Sequence, residues 1–153
     1  MHKPIKISYL IDTIISDKAG TEKQLLEIIR RLDRKVFEPS LVCLSSSPWM
    51  EKNALPCPFY DLRYKGFINT GFPGVLLRLA RYIQEQDISI VQTFFEEPIM
   101  VAIIGAKLAR KKPILLSSRR DIGLGQEHPW YHSIFKVLRP YVNRGLDGIV
   151  VNS

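Results

Sequence analysis

Three polar segments carry the residue types that could bind or transform a substrate, and each follows an apolar, strand-like run. The first is Asp12 to Glu22, ending Ala19-Gly20-Thr21-Glu22. A glycine at a helix start lets backbone approach a ligand, and the free N–H groups and positive dipole end there attract phosphate. The segment is neither a Gly-x-Gly-x-x-Gly pattern nor a P-loop, and a plain turn with a cap accounts for the same residues. Glu22 beside that terminus either opposes a bound anion or favours the dipole. The second segment is Gln92-Thr93-Phe94-Phe95-Glu96-Glu97-Pro98. Its paired carboxylates either cap a helix at Pro98 or, together with Thr93, bind sugar hydroxyls or serve as a base. The third is Ser117-Ser118-Arg119-Arg120-Asp121-Ile122-Gly123. Two arginines at a strand's carboxyl end sit where a phosphate would be expected, with Asp121 beside them. A structural ion pair between Asp121 and one arginine is the competing reading.

Other reactive residue types point to no chemistry. His128 and His132 stand four apart without a third ligand, and His2 is remote, so no metal site is expected. Cys43 and Cys57 match no metal or redox spacing; buried free thiols are expected, with a disulfide as the alternative.

The elements that must position these loops alternate along the chain. Strands are predicted over Ile5–Ile11, Ser40–Leu44, Phe59–Leu62, Ile88–Thr93, Ile114–Ser117 and Asp147–Val151. Helices are predicted over Glu22–Asp33, Gly74–Gln86, Pro98–Ala109 and Pro129–Arg144, the last kinked or split at Pro140. Thr21 and Gln24 have the spacing of a capping box, and Pro73 suits a first helical turn. Ser45–Pro58 reads as a loop with at most one turn of helix. The Pro98 helix is apolar nearly all round and must be buried on more than one side. This alternation predicts a doubly wound, mostly parallel six-stranded Rossmann-like sheet with helices on both faces. Ligands in such sheets bind at the carboxyl ends of the strands, where all three polar loops fall.

Composition bounds the class. The 153 residues suit one domain, and 46% hydrophobic with 24% charged residues excludes disorder. The longest apolar run, Pro98–Ala106, is half the roughly 18 residues a spanning helix needs. The amino terminus lacks the pattern of a signal peptide, so a cytoplasmic location is expected. The net charge of +7 gathers at Arg30, Arg31, Arg34 and Lys35, and at Lys107, Arg110, Lys111 and Lys112. These residues either complement helix carboxyl ends or attract a phosphorylated substrate or anionic lipid, placing the protein peripherally at the inner face of the cell membrane. No nucleic-acid recognition motif accompanies the charge. The abrupt end after the last strand predicts a fragment boundary at Ser153.

Taken in order, the segments resemble the N-terminal domain of the family-four retaining glycosyltransferases of GT-B fold, over essentially the whole chain. Ala19-Gly20-Thr21-Glu22 with Leu25-Leu26 is similar to that family's Gly-Gly-x-Glu loop and first helix. Asp87-Ile88-Ser89-Ile90-Val91-Gln92-Thr93-Phe94 resembles its Asp-Ile-Val-His-x-His strand. Ser117-Ser118-Arg119-Arg120-Asp121 and Asp147–Ser153 resemble its fifth and closing strands. Ala19 replaces a glycine, Gln92 and Phe94 replace histidines, and arginine stands where many members place histidine. The resemblance implies the acceptor-side half of a metal-independent hexosyltransferase. It also implies a missing C-terminal domain holding a nucleotide-sugar, which is a donor substrate, so no cofactor is expected. Such a fragment alone would be inactive. Within it, the resemblance and loop positions together put Arg119, Arg120 and Asp121 in catalytic roles, and Gly20, Thr21, Glu22, Thr93, Glu96 and Glu97 in substrate contact. A stand-alone nucleotide- or phosphate-binding Rossmann module is the rival reading.

Overall fold

A computed structural model describes residues 3–18, 20–119, 137 and 140–151. Its strands are β1 (Ile5–Ile11), β2 (Phe37–Cys43), β3 (Phe59–Asp61), β4 (Ile90–Phe94), β5 (Ile114–Arg119) and β6 (Gly148–Val151). Its helices are α1 (Gly20–Arg31), α2 (Pro48–Lys52), α3 (Phe72–Glu85) and α4 (Glu96–Leu108). Residues 140–144 are also helical. The rest of the predicted Pro129–Arg144 helix and its break at Pro140 lie outside the described residues.

The six strands are all parallel, in the order β3-β2-β1-β4-β5-β6. The order reverses between β1 and β4, which opens a crevice at their carboxyl ends. Strand side chains alternate between two cores. Leu10, Val42, Val91 and Leu115 pack beneath α3 and α4. Ile7, Tyr9, Ile11, Leu41, Cys43 and Phe94 pack with Leu25, Leu26 and Ile29 of α1.

The near-uniform apolarity of α4 has the expected outcome: seven of its residues, among them Val101, Ala102 and Gly105, are buried. Gly105 allows α3 to come close, since a Cβ there would stand 2.9 Å from Leu79 Cδ2. Pro73 falls in the first turn of α3. Pro39 sits inside β2, which the sequence reading began only at Ser40. Leu41 N donates toward the β3 side, to Pro58 O, so residue 39 faces that side too. The pairing with β3 starts only at Leu41 and Phe59, so no partner for a ladder bond stands opposite Pro39.

Cys43 and Cys57 are free thiols rather than a disulfide. Burial pushes Cys43 up to about 12 and Cys57 to about 11, which leaves both as unreactive packing groups.

Candidate functional site

The crevice is built from the residues that leave β1 and β4. Asp12 follows the last residue of β1. Its backbone carbonyl accepts from Ser45 N, and Ile11 O accepts from Leu44 N, so the chain after β1 runs beside the chain after β2. Ser47 ties the two together: its hydroxyl donates to Ile14 O and accepts from Met50 N as the N-cap of α2. Across the crevice β4 ends at Phe94, and α4 starts two residues later.

That short passage is strained. Phe95 has φ 70° and ψ 168°, a backbone region that is essentially reserved for glycine and costs about 1–3 kcal/mol for other residues. Phe95 is also the N-cap of α4 and supplies no side-chain hydrogen bond to the helix. Glu96 and Glu97 therefore do not precede the helix, as the sequence reading had them, but form its first turn. Carboxylates there favour the helix dipole, and they also make the mouth of the crevice acidic.

Asp12 faces this acidic turn. Its Oδ1 is buried without a hydrogen-bond partner. Burial, and secondarily the charge of Glu97, raises the Asp12 carboxyl from 3.8 to about 7. A carboxyl with that value exchanges its proton near neutral pH, and its bare oxygen can accept a ligand hydroxyl. Sequence reading had placed Asp12 only as the first residue of a polar loop. The signal that could have found it is a lone carboxylate directly after an apolar strand, one step from the sheet interior.

The remaining predicted residues divide between the crevice, the interior and the undescribed part of the chain. Gly20 opens α1 with φ +71°, and nothing lies within 4 Å of a Cβ built there, so the backbone conformation rather than crowding calls for glycine. Thr21 lies in the first turn of α1. Glu22 folds back so that its Oε1 accepts from Ile15 N at 3.2 Å, bracing the loop after β1. Thr93 is fully buried, and its hydroxyl donates to Leu116 O at 3.1 Å. It joins β4 to β5 and does not reach the crevice surface. Gln92 likewise donates to Ser118 Oγ at 2.7 Å. Arg119 closes β5, paired in register with Val151. Arg120 and Asp121, all three histidines, and with them the proposed arginine–aspartate ion pair, lie outside the described residues. Among the described residues no three His, Cys, Asp or Glu side chains converge as a metal site.

The two basic clusters lie at the opposite end of the sheet, and much of their charge is engaged. Arg30 and Arg31 pair with Glu27 at 2.7 and 3.4 Å, and Arg34 donates to Ile29 O and Pro56 O. Lys111 binds Asp87 at 2.7 Å. No helix among the described residues is long and apolar enough to cross a membrane.

No family model matches the chain, and no curated protein matches it. Solved structures do share its fold. A glycosyltransferase from Rickettsia africae superposes with a TM-score of 0.64 at 16% identity, over 98% of this chain and 37% of that one. A sucrose-phosphate synthase from Thermosynechococcus elongatus gives 0.62 at 10% identity, over 97% of this chain and 42% of that one. The protein MT0777 gives 0.51 at 10% identity, over 96% of this chain and 86% of that one. The chain thus has the Rossmann-like α/β fold found within these GT-B-type glycosyltransferases, and spans about two-fifths of their length.

Proposed function

We propose that this chain is the N-terminal, acceptor-side domain of a glycosyltransferase, and that a second domain supplies the nucleotide-sugar donor. The observation that carries the reading is the crevice between β1 and β4, where the bare Asp12 oxygen faces Glu97. Clustered carboxylates repel a phosphate but accept hydrogen bonds from hydroxyls. This side of the cleft therefore suits a polyhydroxylated acceptor, such as a glycan, a glycolipid or a small sugar. In transfer, the bond from the anomeric carbon to the diphosphate breaks and a bond to the acceptor oxygen forms. Asp12 accepts the hydrogen bond of the attacking hydroxyl. The departing diphosphate requires positive charge, for which Arg119 and Arg120 remain the candidates, with no metal invoked. The partial coverage of the two glycosyltransferases supports the domain assignment; family-four membership rests on the sequence resemblance alone.

The test is donor-dependent transfer by the full-length enzyme with a panel of nucleotide-sugars and acceptors. Asp12→Asn should lower kcat/KM by about a hundredfold or more, the usual scale for a lost general base. Arg119→Ala with Arg120→Ala should cut turnover further. Near-normal kinetics in either variant would remove that group from the site.

The second reading is a free-standing nucleotide- or phosphate-binding module; the similarity to MT0777, of which this chain covers 86%, supports it only in that such a fold there makes up nearly the whole chain. Calorimetry of the 153-residue chain with the same nucleotide-sugars separates the two. Measurable affinity supports the module, and its absence supports the half-enzyme.

A further inference from the structure

Ser45, Ser46 and Ser47 stand in a row after β2, and of the three only Ser47 is buried. Ser45 uses its backbone, its N–H donating to Asp12 O at 3.1 Å. The Ser46 hydroxyl donates to Glu51 Oε1 at 3.3 Å. The Ser47 hydroxyl is engaged twice. As N-cap of α2 it accepts from Met50 N at 3.1 Å, and its one proton goes to Ile14 O. Capping needs only an acceptor, so the donation to Ile14 O is a second task that the helix does not call for.

Ile14 belongs to the loop that begins with Asp12. Among the anchors of that loop, Ser47 is the one that is both buried and removable by substitution. The bond from Ser45 N to Asp12 O is backbone to backbone. Thr13 Oγ1 reaches Met50 Sδ only at 4.0 Å, and a thioether is a weak acceptor. Glu22 Oε1 takes Ile15 N at an exposed position, where water can replace it. Ser47 is 8% exposed and Ile14 is fully buried, so water does not readily stand in for their bond. Asp12 needs such a hold. Its Oδ1 is buried with no hydrogen-bond partner, a state that an unconstrained carboxyl leaves by turning to water. Of the acidic groups on the elements around the loop, Glu22 of α1 is engaged by Ile15 N and Glu51 of α2 by Ser46. Glu97 of α4, next to Glu96, is the one whose charge adds to the burial of Asp12.

We propose that Ser47 is a positioning residue for Asp12: by fixing Ile14 O it holds the loop after β1 on the course that keeps the Asp12 carboxyl out of water. The carboxyl is thereby set before a ligand arrives, with no reorganisation left to be made on binding. The use made of Asp12 rests on the acceptor-site reading of the crevice; its placement by Ser47 does not.

Titration of Asp12 in the 153-residue chain, followed by the NMR shift of its carboxyl carbon, tests this with no sugar present. The wild-type midpoint should lie at about 7. Ser47→Ala should lower it by about one pH unit or more, toward 3.8, because a loop released at Ile14 O lets water reach the carboxyl. Ser47→Gly, a milder loss to the helix cap, should lower it as far. Ser47→Thr keeps the hydroxyl and should hold the midpoint at about 7. Ile83→Val trims the other core, beneath α3, and should lower Tm without moving the midpoint. An unmoved midpoint in folded Ser47→Ala or Ser47→Gly would overturn the proposal, as would a wild-type midpoint at about 3.8. An equal fall in Ile83→Val would assign the effect to general loosening and overturn it too. The transfer reading fails separately, on the kinetics of Asp12→Asn.

Discussion

The two ends of the sheet are built to different standards. At the amino end the difficult groups are compensated. Asp87 adopts a left-handed φ of 54°, yet its carboxylate is held by Lys111 at 2.7 Å and Lys3 at 3.5 Å. The Lys111 hydrogen bond and charge hold that carboxyl below its ordinary value. Arg34 likewise closes the last turn of α1 through Ile29 O while reaching Pro56 O. At the carboxyl end similar features go uncompensated. Phe95 is strained without capping α4, and Asp12 holds a buried oxygen with no partner. The amino end thus satisfies its awkward groups in place, while at the carboxyl end Phe95 stays strained and Asp12 keeps an oxygen without a partner.

Variants can break this comparison. The largest effect should come from the core that both ends share. Leu79→Ala, in the close α3–α4 contact, should cost about 3 kcal/mol in urea denaturation. A cost below about 1 kcal/mol would mean that the core does not tie the ends together. Next comes Asp12→Asn. The folded chain holds the Asp12 proton up to about pH 7, against 3.8 for the free group, so stability falls as pH rises between those values. Asparagine removes that loss and should stabilise the chain by on the order of 2 kcal/mol at pH 8, with the gain vanishing by about pH 4. A gain that is the same at both pH values would leave the Asp12 charge without a part in it. The smallest effect belongs to the amino end. Asp87→Asn keeps a residue type that tolerates positive φ and removes only an exposed charge. Its slight lowering of Tm in dilute buffer should disappear at about 0.5 M salt.

Much of this was legible before any coordinates. The span of β1, the burial of α4 on more than one side and the alternation that gives the sheet all follow from local periodicity. Boundaries failed where a single residue decided them. Glu96 and Glu97 read as caps because Pro98 suggested a helix start, whereas the turn is made by Phe95 in a conformation that its residue type argues against. The start of β2 was missed because Pro39 is penalised in strands, and only the short reach of β3 explains why it is tolerated. The site was legible as three loops but not as a cluster. Thr93 and Glu22 looked available because hydroxyl and carboxylate are polar. Their actual partners, Leu116 O and Ile15 N, are set by strand register and by the path of a loop. Asp12 escaped notice because its importance arises from Glu97, 85 positions away in sequence, and from burial that only the packed sheet creates.

Ser47 carries a consequence for motion. Its hydroxyl joins the loop after β1 to the start of α2, while Glu22 fastens that loop to α1. Residues 12–18 are thus clamped from both sides and have little freedom to move alone. A ligand seated against Asp12 would load Met50 and the first turn of α1 together. Its release would then wait on a body of three elements, and cutting the Ser47 hydroxyl alone would leave the doorway hinged on α1 through Glu22.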